Sequence, residues 1–264
     1  MAESTVILQT MAYPGSKQTA THVLEILNDT KYDNMDYLEP FVGLGHVLYR
    51  IKNKKSIVAT DISTNVVDIL TTLQTRKSYP IISCTIFDSL KQDKQISKKE
   101  LQGYSVDIMK SFASISTFNG INWRHSGFSY PSRCGRKDSS VTRHNYYNKL
   151  IASDAIEQAK LSVKSYTYHK PNGSLIFCDP PYAHSTRYNK KFYGMSELFD
   201  HDKFWETMRA WSYNNIVYIS ESSAPSDFEI VASKHRKVTF AKNNNLDTNS
   251  YTDNLYMYKG YIES

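Results

Sequence analysis

Cysteine is scarce: the 264 residues contain three, Cys84, Cys134 and Cys178, an odd number at wide spacings. Such a set builds neither a disulfide framework nor a thiolate metal site, so buried or incidental thiols are expected and no metal is. Long apolar runs are missing too. No stretch approaches the roughly 20 residues of a membrane span, and Met1–Thr10 has no basic start and only a short apolar stretch. A soluble, cytoplasmic protein without membrane contacts is therefore expected. Internal repeats and low-complexity tracts are also lacking, which excludes repeat architectures and composition-biased tails.

The chain does have 40% hydrophobic residues, enough at this length to fill one α/β domain carrying a smaller insertion. Val66, Val67, Ile69, Leu70 and Leu73 recur at helical spacing within Ser63–Thr75, as do Phe204, Met208 and Trp211 within Asp200–Trp211. Short apolar runs at Tyr37–Phe41, Ser56–Thr60, Leu175–Cys178 and Asn215–Ile219 read as strands. Their alternation with helices predicts a mainly parallel sheet with right-handed crossovers. Phe228–Ala232 and Asn254–Tyr258 predict an antiparallel edge hairpin. A helix is expected over His46–Lys52. Flexible segments are expected over Ala183–Gly194, a candidate lid, and over Lys242–Tyr251.

Two strand ends carry chemistry. Leu175–Cys178 runs directly into Asp179-Pro180-Pro181-Tyr182. Proline has no N–H and a fixed φ, so the pair ends strand pairing and turns its carbonyls outward as acceptors. Asp179 adds a further acceptor and Tyr182 a flat stacking surface. The set fits a planar, amine-bearing group such as adenine, taking both amine protons and steering the nitrogen lone pair towards an electrophile. An ordinary loop at a strand end is the competing reading, since four-residue matches arise by chance. At the other strand end, Tyr37–Phe41 leads into Val42-Gly43-Leu44-Gly45, where glycines let the backbone approach a ligand. Ser56–Thr60 ends in Asp61, where an acid in a doubly wound fold accepts from ribose hydroxyls. Strand, G-x-G, helix, strand and acid together point to a nucleoside-containing cofactor.

The net charge of +6 is uneven: Ser89–Leu150 holds eleven Lys and Arg against four acids, a net +7, and the remainder is close to neutral. A basic insertion on a neutral core suits a polyanionic substrate, because phosphate contacts release counterions. Solvated surface charge is the alternative, above all over the helix-like 91–110. From Arg124 to Arg143 the charges are mixed with Trp123, His125, Phe128, Tyr130, His144, Tyr146 and Tyr147. Such a mixture reads as a contact surface that binds phosphates, reads guanine edges or supports a displaced base. Phe128 and Tyr130 could instead form the insertion's small core.

Five pieces in one order resemble the Dam-type adenine-specific DNA methyltransferases, which use S-adenosylmethionine. They are Tyr13-Pro14-Gly15-Ser16-Lys17; Glu39-Pro40-Phe41-Val42-Gly43-Leu44-Gly45; Asp61 in Thr60-Asp61-Ile62; Phe118-Asn119-Gly120 with Arg124, Gly127-Phe128-Ser129-Tyr130-Pro131 and Gly135-Arg136; and Asp179-Pro180-Pro181-Tyr182. The resemblance implies an α/β fold with a Rossmann-like methyltransferase sheet, mainly parallel with an antiparallel edge hairpin, plus a small, mostly helical DNA-recognition insertion. The catalytic domain would comprise residues 1–88 and 151–264, the recognition domain residues 89–150.

The implied reaction is methyl transfer to the exocyclic N6 amine of adenine in double-stranded DNA after base flipping, with Asp179, Pro180, Pro181 and Tyr182 as the catalytic turn. Tyr13, Lys17, Glu39, Phe41, Gly43, Gly45, Asp61 and Asp179 would hold the cofactor, Lys17 and Tyr13 at its methionine end. Ser165 and Tyr166, which stand where many relatives carry an acid, would join them at the cofactor, and Leu44 is bulkier than the glycine often found at its position. Asn119, Arg124, Tyr130, Pro131, Arg133, Arg136, Lys137 and Arg143 would meet DNA. A monomer of bacterial, phage or viral origin is expected, of the restriction-modification kind, with G-A-T-C as the default site. Two other readings stay open. A methyltransferase for RNA or for a protein glutamine would keep the cofactor site without needing the basic insertion. A non-catalytic DNA-binding protein would keep the insertion and could lose Asp179.

Overall fold

The computed structural model describes residues 21–114, 140–182, 199–242 and 245–261. Strands β1 (Asp36–Glu39), β2 (Ser56–Asp61), β3 (Lys160–Val163), β4 (Ser174–Cys178), β5 (Ile216–Glu221), β6 (Phe228–Lys242) and β7 (Asn245–Tyr258) form one sheet in the order β3-β2-β1-β4-β5-β7-β6. The first five in that order run parallel, and β7 is antiparallel to both β5 and β6. The expected mainly parallel sheet with an antiparallel edge hairpin is thus present. Strand order runs outward in both directions from β1 and β4, a switch point that opens a crevice at the carboxyl ends of those strands.

Period-two alternation explains why both faces are covered. All five residues of β4 are buried, and they divide: Leu175 and Phe177 join one core, Ile176 and Cys178 the other. Tyr37 and Leu38 of β1 split in the same way, as do Tyr218 and Ile219 of β5. The first core is closed by α1 (Thr21–Leu27), α2 (Thr64–Arg76), α3 (Cys84–Lys91), α5 (Val106–Ser114), α6 (Ser140–Ile151) and α7 (Asp154–Gln158), and the one-turn α4 (Lys98–Leu101) packs Leu101 against its edge. The second is closed by α8 (His201–Ser212), whose Phe204, Trp205, Met208 and Trp211 lie on one helical face. Asp200 caps that helix, its side chain accepting from the Lys203 N–H at 2.9 Å.

The described ends of the basic stretch 89–150 share the first core. Met109, Phe112, Tyr146, Tyr147 and Leu150 are all buried there, and Ser111 donates to Asp68 of α2 at 3.0 Å. Tyr146 and Tyr147, expected on a contact surface, are therefore core residues, because α6 turns them inward against Tyr49 and Phe112. The helix expected over His46–Lys52 shrinks to a 3-10 turn at Leu48–Arg50. There the Arg50 guanidinium bonds the His46 carbonyl (Nε 2.9 Å, Nη2 2.6 Å), occupying the acceptor an α-helix would offer the Arg50 N–H, which goes to Val47 instead. Most of Lys242–Tyr251, expected to be flexible, is strand, paired in register down to Lys242↔Asn245. Strand β3 escaped the sequence reading because a four-residue edge strand with three exposed residues leaves no apolar pattern. The candidate lid lies outside the described residues.

Candidate active site

The carboxyl ends of β1, β2 and β4 meet at the crevice. β1 delivers Glu39, which is 2% exposed, and next to it β4 delivers Asp179, half-buried, followed by the buried Pro180. Burial pushes the Glu39 carboxyl up to about 8, with the Asp179 charge adding to the rise, against the hydrogen bond from the Tyr37 hydroxyl (2.8 Å) and the nearby Arg50. Two carboxyls in one desolvated place repel each other unless a cation joins them or one keeps its proton.

Beside them the glycine turn is shaped by backbone needs. Gly43 and Gly45 both have positive φ, +51° and +75°, which suits residues without Cβ. A Cβ on Gly45 would also stand 3.3 Å from Leu70 of α2, tighter than ordinary contact. The Gly43 N–H is held by Asp61 Oδ2 at 3.0 Å, while Asp61 Oδ1 accepts from the Ser63 N–H at 2.8 Å. Asp61 thus fastens the turn after β1 to the turn after β2. Burial raises its pKa against the pull of those N–H bonds.

Aromatic rings wall the crevice. Phe41 lies 5.3 Å from Tyr166, and Phe199 and Phe204 complete the cluster. Tyr166 sits in a 3-10 turn that Ser165 caps through the Thr167 N–H. On the far side the Tyr182 hydroxyl reaches Ser220 (3.0 Å) and Asp253 (2.9 Å).

Of the residues expected at the cofactor, Glu39, Phe41, Gly43, Gly45, Asp61 and Asp179 stand at these strand ends, Ser165 and Tyr166 lie just past the end of β3, where Tyr166 meets Phe41, and the catalytic four follow one another after β4. Tyr13 and Lys17 lie outside the described residues, as do Asn119, Arg124, Tyr130, Pro131, Arg133, Arg136 and Lys137, while Arg143 falls within the α6 backbone. Several neighbours were not foreseen. His46 packs its ring on Tyr146 at 4.5 Å, both ring nitrogens buried without a hydrogen-bond partner among the described residues, and burial with Arg50 nearby lowers its pKa to about 3. The Tyr146 hydroxyl donates to the Leu44 carbonyl at 2.7 Å, tying the helix that returns from the basic stretch to the glycine turn. Only the position of His46 next to G-x-G signalled its place; Tyr146 and Asp253 had no sequence signal.

A model of the D12 class N6 adenine-specific DNA methyltransferases matches residues 13–244. No curated protein matches the chain. Among solved structures the chain is similar to the rRNA methyltransferase AviRa of Streptomyces viridochromogenes at 8% identity, covering 96% of this chain and 88% of that one, with a TM-score of 0.39. It is also similar to precorrin 8W decarboxylase of Methanobacterium thermoautotrophicum (8% identity, 90% and 88% covered, TM-score 0.36). A further match is magnesium protoporphyrin IX methyltransferase of Synechocystis PCC 6803, solved with bound S-adenosylmethionine (8%, 92% and 80%, TM-score 0.33).

Proposed function

Because this chain belongs to the D12 class of N6 adenine-specific DNA methyltransferases, enzymes that take their methyl group from S-adenosylmethionine, we propose that it methylates adenine in duplex DNA, flipping the base into the crevice beside β4. The observation that carries this reading is the juxtaposition of Asp179-Pro180-Pro181-Tyr182 with Glu39 at the β1/β4 switch point.

The residues present fit the cofactor. Glu39 and Asp179 give a desolvated, acidic place that suits a sulfonium and an ammonium, Gly43 and Gly45 permit close backbone approach, and Phe41 and Tyr166 offer apolar ring surface. When bound, S-adenosylmethionine supplies an already activated methyl group. The chain's part is positioning and charge placement. Asp179 and the Pro180 carbonyl accept the two amine protons of the extruded adenine, keeping the nitrogen lone pair directed at the methyl carbon, and Tyr182 stacks on the base. Asp61, whose oxygens accept from the Gly43 and Ser63 N–H groups, has a remaining lone pair for a ribose hydroxyl. Tyr13 and Lys17 are assigned to the methionine end. The basic stretch 89–150 is the recognition unit, with α5 and α6 seating it on the core and Asn119, Arg124, Tyr130, Pro131, Arg133, Arg136, Lys137 and Arg143 as its DNA-facing residues. Transfer of labelled methyl from S-adenosylmethionine to duplex DNA, with nucleoside analysis of the product, tests the proposal: label in N6-methyladenine supports it, and label absent from adenine contradicts it.

A further inference from the structure

The hydroxyl of Tyr182 ends in a buried polar cluster that the proposed methyl transfer does not use. Asp253 Oδ1 accepts from it at 2.9 Å and from the Ser220 hydroxyl at 3.1 Å, and the Tyr182 and Ser220 oxygens are themselves 3.0 Å apart. Ser220 is fully buried and Asp253 is 2% exposed, while Tyr182 is half-buried. These three residues come from three elements. Tyr182 closes the turn after β4, Ser220 lies on β5, and Asp253 lies on β7 one residue past the last β5–β7 pair, Glu221↔Asn254. Its backbone stays in the β6–β7 ladder opposite Lys234, and its carboxyl meets the two hydroxyls. Its acceptor faces the two hydroxyls in a dry environment, where a hydrogen bond is strong and a lost partner is costly.

We propose that Asp253 is a positioning residue for the methyl transfer, holding Tyr182 through its hydroxyl, with Ser220 as second support, so that the ring is fixed in the orientation that stacks on the extruded base. An aromatic ring anchored only at Cβ can swing about χ1 and χ2; one anchored at both ends presents a fixed face. Burial and the neighbouring Asp179 and Asp253 charges hold the Tyr182 phenol well above its usual range, so it stays protonated and keeps the proton it donates. The inference rests on the proposed function, since it gives Tyr182 the stacking role.

The test compares the full-length protein with Asp253→Ala, Asp253→Asn, Tyr182→Phe and the Asp253→Ala/Tyr182→Phe double variant. Turnover should fall roughly tenfold or more in Asp253→Ala, the scale of a hydrogen bond to a charged group, with KM for S-adenosylmethionine unchanged. Asp253→Asn keeps an acceptor oxygen and should recover most of the loss. Tyr182→Phe should match Asp253→Ala, and the double variant should be no worse than either. Multiplied losses in the double variant, or full turnover in Tyr182→Phe, would overturn the proposal, and the latter stands even if Asp253→Ala does not fold. A second readout needs no methyl transfer: NMR of ring-labelled tyrosine in the ligand-free protein, with the Tyr182 signal assigned by its loss in Tyr182→Phe. That signal should move or broaden in Asp253→Ala and stay in place in Asp253→Asn. An unmoved signal in Asp253→Ala contradicts the anchor, whereas a wild-type protein that transfers no methyl contradicts the proposed function alone.

Discussion

Glu39 shows how one buried carboxyl links stability to ligand charge. Its folded pKa of about 8 lies above the ordinary 4.5, so the folded protein holds a proton that the unfolded chain has given up. That contribution is complete below pH 4.5 and is lost as pH rises through about 8. His46, lowered to about 3 from 6.5, has the opposite sign: its contribution is present above 6.5 and lost as pH falls towards 3. Glu39→Gln should therefore flatten the decline of melting temperature between pH 6.5 and 8.5, and it should weaken S-adenosylmethionine binding by removing a carboxylate that a cation would favour. Thermal melts across that range, with binding calorimetry at pH 8, check both. A slope identical to wild type would mean that Glu39 keeps its ordinary pKa. At this scale the sequence was enough to put Asp179, Asp61 and the glycines at the ends of strands, because each follows an apolar run. It did not reveal Arg50, Tyr146 or Asp253, whose meaning depends on partners 4 to 102 residues away and, for Asp253, 33 and 71 residues away.

Elements were legible where periodicity is local. α2 and α8 follow from their apolar spacing, and β4 follows from a continuous apolar run because both its faces are buried. The hairpin was only half legible. Its apolar ends at Phe228–Ala232 and Asn254–Tyr258 lie over the cores, but the polar remainder draws its order from cross-strand pairing, which leaves little mark on composition. The turn between β1 and the 3-10 segment is constrained at Gly45, which has positive φ and little room for a Cβ beside Leu70. Gly45→Ala should destabilise the fold by about 1–3 kcal/mol, through left-handed strain and displacement of α2. Chemical denaturation gives the value, and a change within about 0.3 kcal/mol, too small for such strain, would show that the turn adapts.

For the whole molecule, sheet order and charge distribution bear on the proposal together: the proposed chemistry lies at the switch point, and α6, the described end of the basic stretch, meets the glycine turn through Tyr146. If Arg124, Arg133, Arg136 and Lys137 face DNA, affinity should fall steeply with salt, and removing one phosphate contact should flatten the slope by about one charge. Loss of a base-reading arginine should instead cost about 1–3 kcal/mol at the cognate site alone. Titrations of alanine variants on cognate and scrambled duplexes separate these, and wild-type behaviour in all four would make the stretch a solvated surface. The role proposed for Asp179, at the end of β4, is direct participation in methyl transfer to adenine. It is tested most directly by labelled-methyl transfer to duplex DNA from wild type and Asp179→Ala, with cofactor binding measured on both. Loss of turnover with cofactor binding retained is predicted; undiminished transfer by Asp179→Ala would contradict it.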